Sequence, residues 1–287
     1  MKIKLIASLF LFMAVTSCGQ SCLRENNKQG WALVDQPDLL NLIFYPRKVA
    51  ERTIPGARNF RIPVEKDVYL GARWHLRNRD LPTVLFFHGN GEVVPDYDDA
   101  VDLFEESGLN FFIVDYRGYG WSTGSPSYEK MLLDANVVSD FFTGKLKEEY
   151  GEGRWPRPYL MGRSLGSASV CEIAANHGSD YTGLILESGF SNAPALMRRL
   201  GVDLPPLGKE LEEKISNNTK LAHIQMKVLI IHGENDQLIP PINARQNFES
   251  IPHQKKTLLI IPGAEHNNVM VFHRPYFNAV REFVRQK

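Results

Sequence analysis

A serine between two glycines is the first residue of this chain whose surroundings suggest chemistry. Residues 162–166 read Gly-Arg-Ser-Leu-Gly, which has the form G-x-S-x-G. This pattern follows a strand-like apolar segment and opens a helix-like one, and in that context a strained turn lifts the serine hydroxyl above a sheet. The flanking glycines leave room for the tight backbone. The sequence therefore predicts a nucleophile at Ser164, whereas Ser167 and Ser169 are interpreted as packing residues of the helix.

A serine becomes a good nucleophile only when a base takes its proton, so the chain downstream must supply one. Of the eight histidines, only His266 lies in the last loop between a strand-like and a helix-like segment. Asp236 lies in the loop after an earlier apolar segment, and Glu234 is a rival acid in that same loop. We favour Asp236, whose expected role is to hold His266 in the correct tautomer and to stabilise its imidazolium.

Acyl transfer also needs two N–H groups where negative charge develops on the substrate oxygen. The residue after the nucleophile, Leu165, is expected to supply one of them. The other is expected from the loop His88-Gly89-Asn90-Gly91-Glu92, which follows the apolar run Val84-Leu85-Phe86-Phe87. Within this loop we assign the backbone of Asn90, with Gly91 as the alternative.

These residues must be positioned by an alternation of short apolar runs and amphipathic segments. Runs of four to six apolar residues suit strands that are covered on both faces, as in a parallel sheet. Strand–helix alternation predicts an α/β fold with crossover helices. The expected strands are Phe60–Val64, Val68–Arg77, Thr83–His88, Phe111–Asp115, Pro158–Met161, Gly183–Glu187, Lys227–His232 and Thr257–Ile261. The expected helices are Pro95–Ser107, Tyr128–Tyr150, Leu165–Asn176, Pro241–Ser250 and Val269–Arg285.

One interval interrupts this rhythm. Residues 189–223 contain three prolines and no good strand, which indicates a lid-like insertion between two strands. Its leucines at positions 196, 200, 204 and 207 have two interpretations: they cover the active site, or they touch a membrane surface. We favour the first.

The motifs occur in an order that resembles the α/β-hydrolase superfamily, and more narrowly the serine hydrolases that include the protein depalmitoylase-like enzymes. The matching residues are His88-Gly89-Asn90-Gly91, Asp115-Tyr116-Arg117-Gly118-Tyr119-Gly120 with Ser122 and Gly124, Gly162-Arg163-Ser164-Leu165-Gly166, His232-Gly233 with Asp236 and Pro240, and Gly263 with His266. The resemblance implies the α/β-hydrolase fold, with a mostly parallel sheet of about eight strands, helices on both faces and a small lid insertion. The arginine directly before the nucleophile, Arg163, resembles the residue found at that position in this narrower branch.

The beginning of the chain is typical of an export signal. Two lysines precede an apolar run from Leu5 to Val15, which is too short to span a ~30 Å hydrocarbon core. Val15-Thr16-Ser17-Cys18 resembles a bacterial lipoprotein signal, in which the cysteine is acylated and becomes the new N-terminus. An ordinary signal peptide with an incidental Cys18 is the alternative. We expect residues 1–17 to be a signal peptide, 18–37 a lipidated flexible tether and 38–287 the hydrolase domain, lipid-anchored in the cell envelope outside the cytoplasm.

Composition and charge exclude several classes of partner and cofactor. The 287 residues carry 33 basic and 33 acidic side chains, and zero net charge gives no field for binding nucleic acid. Three cysteines exclude a disulfide-stapled scaffold, and Cys171 is isolated, so no zinc spacing is present. No glycine-rich phosphate loop occurs in the required order, so we expect no cofactor and no metal.

The function we expect is hydrolysis of a small-molecule or lipid-borne acyl ester or thioester through an acyl-enzyme. An aminopeptidase or amidase on the same fold is the alternative, and it would need an acid near the mouth of the site, for which Glu187 or Glu92 is a candidate. A non-catalytic binding protein is the least favoured interpretation, because the triad is complete.

Overall fold

Eight strands form one sheet in the computed structural model, which describes residues 30–286. Their order across the sheet is β1-β2-β4-β3-β5-β6-β7-β8. The pairs β1–β2 and β2–β4 are antiparallel, and the remaining neighbours are parallel. The strands are β1 (Arg58–Glu65), β2 (Val68–His75), β3 (Thr83–Phe87), β4 (Asn110–Val114), β5 (Tyr159–Arg163), β6 (Gly183–Glu187), β7 (Lys227–Gly233) and β8 (Lys256–Ile261). The predicted mostly parallel sheet of about eight strands is confirmed.

The central strands are apolar throughout because helices cover both faces of the sheet. Successive side chains of a strand point to opposite faces. Val84 and Phe86 accordingly join one core cluster, and Leu85 and Phe87 join the other. All of these side chains are buried. The burial of both faces explains why β3 and its neighbours read as uninterrupted apolar runs.

The described part of the chain contains nine α-helices in addition to a short helical segment at residues 30–34. They are α1 (Pro37–Ile43), α2 (Val101–Glu106), α3 (Tyr128–Tyr150), α4 (Gly166–His177), α5 (Ala193–Arg199), α6 (Lys209–Ile215), α7 (Asn217–Leu221), α8 (Ile242–Ser250) and α9 (His273–Arg285). Short 3-10 segments, Val94–Ala100 and Val269–Val271, precede α2 and α9. Each of the five predicted helices is found. Tyr128–Tyr150 has the predicted bounds, whereas the others have ends shifted by one residue or begin with a 3-10 segment.

The expected insertion between β6 and β7 contains the three short helices α5, α6 and α7. Its last helix is tied to the nucleophile region by buried hydrogen bonds: Asn217 Nδ2 donates to Ser167 Oγ at 2.9 Å and to the Phe190 carbonyl at 2.8 Å. Ser167 Oγ in turn donates to the Ser164 carbonyl at 2.6 Å. The α7 end of the insertion is therefore bound to the backbone of the turn that contains Ser164.

The predicted tether extends too far along the chain. Residues 30–34 are helical, Val34 is fully buried, and α1 begins at Pro37, so residues 30–37 belong to the folded domain. The Asp35 carboxylate accepts hydrogen bonds from Ser127 Oγ and from the Tyr128 amide, both at 2.6 Å, at the start of α3. A carboxylate is stabilised at a helix N-terminus by the free amides and the helix dipole, which explains why this segment packs. The predicted signal peptide, Cys18 and the rest of the tether lie outside the described residues.

No helix among residues 30–286 is long and apolar enough to cross a membrane. No group of three or more histidine, cysteine, aspartate or glutamate side chains in this range is arranged to hold a metal ion. Cys171 is buried in α4 as a free thiol, and burial raises its pKa to about 12.

Candidate active site

Ser164 occupies a strained turn between β5 and α4. Its φ is 50°, a left-handed conformation that costs energy for a residue other than glycine and is often found at functional sites. The two glycines of the motif are required by close packing: a Cβ on Gly162 would lie 2.4 Å from the Gly166 carbonyl oxygen, and one on Gly166 would lie 2.1 Å from that of Phe87. The motif therefore forms the turn that the sequence predicts.

The loop after β8 brings His266 to this serine. His266 Nε2 lies 2.9 Å from Ser164 Oγ, and its Nδ1 lies 2.7 Å from Asp236 Oδ2. All three side chains are almost completely buried. Residues that are 102 and 30 positions apart in the chain thus form one hydrogen-bonded series, in which Nδ1–H donates to the carboxylate and Nε2 is free to accept the serine proton.

Asp236 is held as an ionised acid by several donors. The Ile239 amide donates to Oδ1 at 2.8 Å, and His232 Nε2 lies 3.2 Å from Oδ2. Burial alone would raise the pKa of Asp236, but the hydrogen bonds from His232, His266 and the Ile239 amide outweigh it and hold that pKa well below the usual range. The rival acid Glu234 is exposed, and its Oε2 accepts from the Gly263 amide at 3.1 Å.

The two expected oxyanion donors lie beside the serine. Asn90, Ser164 and Leu165 line the same cavity. Among the described residues, neither the Asn90 nor the Leu165 backbone N–H has a protein acceptor. Gly91, the alternative donor, does not line this cavity. The geometry therefore favours Asn90 over Gly91.

The Asn90 side chain has a function that the sequence did not reveal. Its Oδ1 accepts from the Tyr45 amide at 2.9 Å and from the Tyr119 hydroxyl at 2.6 Å, and its Nδ2 donates to the Ile43 carbonyl at 2.6 Å. These contacts join the oxyanion loop to the segment after α1 and to the glycine-rich turn at residues 115–124. The turn thus holds the oxyanion loop through the Tyr119 hydroxyl.

The two acids considered as candidates for binding a substrate amine are engaged in other contacts. Glu187 is buried, lies 3.1 Å from Arg163 Nε and accepts from the Tyr276 hydroxyl at 2.6 Å. Burial raises the pKa of Glu187, although Arg163 and Tyr276 partly offset this. Glu92 forms a short ion pair with Arg163 Nη1 and accepts from Tyr97. Neither carboxylate lines the cavity at Ser164.

An apolar cavity of about 310 Å³ opens at Ser164, which lies at the small end of the usual range for ligand pockets. Its walls come mainly from residues 42–45, at the end of α1 and just after it, and from the insertion. None of the described residues that line it is charged. Leu196 and Leu200 line this cavity, as expected of a covering lid, whereas Leu204 and Leu207 are packed in the core. Leu42, Tyr45, Leu200 and Leu238 are each about half exposed at its rim.

Comparison with known proteins places this site in a family. A family model described as serine aminopeptidase, S33, matches residues 80–219 and 211–270. The uncharacterized membrane protein YNL320W of Saccharomyces cerevisiae is 30% identical over 227 residues, which are 75% of each chain. Protein bem46 of Schizosaccharomyces pombe is 26% identical over 212 residues, covering 71% of this chain and 68% of that protein.

Solved structures share the architecture. The esterase Pf2001 of Pyrococcus furiosus superimposes with a TM-score of 0.67 at 20% identity, covering 84% of this chain and 98% of that one. Est1E of Butyrivibrio proteoclasticus, solved with ferulic acid bound, gives a TM-score of 0.60 at 18% identity, covering 78% and 97%. These likenesses confirm the α/β-hydrolase fold.

Proposed function

Because the chain belongs to the serine aminopeptidase (S33) family and is a hydrolase of the α/β-hydrolase fold, we propose that it cleaves carboxylic esters or thioesters through an acyl-enzyme on Ser164. The observation that carries this proposal is the series Ser164–His266–Asp236 at the end of an uncharged apolar cavity. An apolar cavity without charge suits an acyl group, which the hydrophobic effect draws out of water.

The proposed reaction has two halves. Ser164 Oγ attacks the substrate carbonyl carbon while its proton passes to His266 Nε2, and the Asn90 and Leu165 amides stabilise the oxyanion. The carbon–oxygen or carbon–sulfur bond then breaks, and His266 gives its proton to the departing alcohol or thiol. Water attacks the resulting acyl-enzyme, with His266 again taking a proton and returning it to Ser164 as the carboxylic acid leaves. Asp236 stays ionised and stabilises the imidazolium throughout.

Peptide cleavage, which the family description suggests, is supported less well by this site. An aminopeptidase must hold a protonated substrate amine, which calls for an acid near the nucleophile. The two candidate acids, Glu92 and Glu187, are both paired with Arg163. The cavity offers an amine no opposite charge, so burying one there is costly.

A substrate panel tests this assignment. Purified protein is assayed on matched esters and thioesters of graded acyl length, from acetyl to palmitoyl. Aminoacyl amides are assayed beside them. We expect turnover of esters and thioesters and little of the amides. Preferential cleavage of aminoacyl amides would establish the aminopeptidase alternative. Absence of both turnover and fluorophosphonate labelling would instead favour a non-catalytic protein.

We also propose that the protein is exported and anchored through lipid on Cys18, which places the enzyme near acylated or lipid-borne substrates as in the depalmitoylase-like branch. The support is the sequence alone: a short apolar run followed by a lipoprotein-type cysteine. Acyl chains contribute about 0.8 kcal/mol per buried CH₂, so two or more anchor a protein stably. Fractionation of the Cys18→Ala variant in a bacterial host, with the mass of the N-terminal peptide, tests this. An unmodified, unprocessed N-terminus in the wild type would contradict it.

A further inference from the structure

Arg163, the residue immediately before the nucleophile, contacts the loop that carries the base. Its side chain is buried beneath the site, and Nη2 donates to the His266 carbonyl at 3.1 Å and to Asn267 Oδ1 at 3.0 Å. The same loop is also held at earlier positions, where the Asn235 amide donates to the Ala264 carbonyl at 2.8 Å and the Gly263 amide donates to Glu234 Oε2 at 3.1 Å. Arg163 therefore holds the loop at the residue whose imidazole must meet Ser164.

The same guanidinium reaches the oxyanion loop through Glu92. Arg163 Nη1 is paired with Glu92 Oε1, and Glu92 Oε2 accepts from the Gly89 amide at 2.6 Å. The packing is close, because a Cβ on Gly89 would lie 2.4 Å from Arg163 Nη1. Gly89 directly precedes Asn90, so this contact sets the position of the proposed oxyanion donor.

We propose that Arg163 is a positioning residue that fixes the His266 loop and the Gly89–Asn90 loop to the strand end that carries Ser164. This inference rests on the proposed function. A planar guanidinium presents five donors in a rigid fork, so it can hold a carbonyl, an amide oxygen and two carboxylates at once. The lysine ammonium is a compact charge without that fork, and it cannot reproduce the arrangement.

A purely structural role is the competing explanation, since Arg163 also neutralises buried Glu187 through Nε. Tyr276 offers a matched control. Its hydroxyl donates to the other Glu187 oxygen at 2.6 Å, so Tyr276→Phe removes a buried hydrogen bond from the same network. No described hydrogen bond joins the Tyr276 side chain to His266, Asn267 or Gly89. Both variants are therefore expected to lose stability. Only the Arg163 variant is expected to lose the position of His266.

The experiment compares Arg163→Lys with Tyr276→Phe in the full chain. Three quantities are measured: kcat and KM on a soluble ester, the melting temperature, and the downfield proton resonance of the His266 Nδ1–H, identified by its loss in Asp236→Asn. We expect Arg163→Lys to lower kcat by about 10- to 100-fold with KM within about threefold, because misplacement by about 1 Å costs that much. We also expect the resonance to shift or broaden. Tyr276→Phe should keep both kcat and the resonance.

Equal kcat values and an unchanged resonance in the two variants would overturn the proposal. If Arg163→Lys does not fold, Asn267→Ala replaces it, because Asn267 is exposed and its loss removes only one contact of the fork. A several-fold drop in kcat is then expected, and an unchanged kcat would overturn the proposal. An inactive wild type that reacts with no probe would refute the proposed function instead, while the resonance would still report whether Arg163 holds His266.

Discussion

The acid of the site is defined by its hydrogen bonds. Asp236 receives the His266 imidazole on one oxygen and the Ile239 amide on the other, and His232 approaches from the strand end of β7. Glu234, two residues away, bonds to the Gly263 amide at the surface. The sequence indicates that both acids lie in this loop. Only the buried hydrogen bonds distinguish the catalytic candidate Asp236 from Glu234.

Exchanging each acid for its amide measures that difference. Asp236→Asn should lower kcat by about 10³- to 10⁴-fold, because an asparagine can offer an N–H to His266 Nδ1 and so select the wrong tautomer. Glu234→Gln is the matched control and should leave kcat within about twofold, because its side chain is exposed. Steady-state turnover of a soluble ester provides the measurement. A larger loss in Glu234→Gln would show that the acid is misassigned.

Among the secondary-structure elements, the sequence predicted those that depend on a local pattern of apolar residues. Apolar runs such as 84–87 can be read as buried strands because both of their faces are covered, and all eight strands are found. Residues 30–37 were misread as tether because their few apolar side chains form too short a pattern. What packs them is a long-range contact, the Asp35 carboxylate at the start of α3, which no local pattern reveals.

The insertion should determine which acyl chains are accepted. Leu196 on α5 lines the cavity, so Leu196→Trp fills part of its volume. We expect the ratio of kcat/KM for long over short acyl esters to fall by about tenfold or more, since each methylene in an apolar pocket contributes about 1–3 kcal/mol.

Leu133→Trp is the control for this change. Leu133 is a half-exposed residue of α3 that does not line the cavity, so its substitution should leave the chain-length profile unchanged. Identical profiles for the two variants would contradict the placement of the acyl group in this cavity.

Across the whole molecule, buried charge networks join segments that are far apart in the sequence. Arg163 contacts residues near positions 92, 187 and 266 at once. A second network joins β2 to the segment before α2, where His75 Nε2 lies 3.2 Å from Asp98 Oδ1 and Arg73 Nη1 lies 2.5 Å from Asp98 Oδ2. Such contacts depend on which loops meet after folding, so single-sequence patterns could not reveal them.

The His75 network should make stability depend on pH. Burial, with the charges of Arg73 and Arg77, lowers the pKa of His75 to about 4 despite the opposing effect of Asp98. An unfolded histidine titrates near ~6.5, so between these values the unfolded chain binds more protons and the free energy of unfolding falls as the pH falls.

His75→Gln should therefore reduce the pH dependence of the free energy of unfolding, measured by urea titration between pH 4.5 and 7. The reduction is no more than about 1.4 kcal/mol per pH unit, the limit for one proton. An unchanged slope would show that His75 is protonated equally in both states.

The central claim is that Ser164 forms a covalent acyl-enzyme, and mass spectrometry of the modified peptide tests it most directly. The wild-type protein is treated with a fluorophosphonate and, separately, with an activated ester, then digested and mapped. Ser169→Ala is the matched control, since Ser169 is a buried serine of α4, the helix that follows Ser164. We predict an adduct on Ser164 in the wild type and in Ser169→Ala, and neither adduct nor ester turnover in Ser164→Ala. An adduct on another residue, or full turnover in Ser164→Ala, would contradict the account.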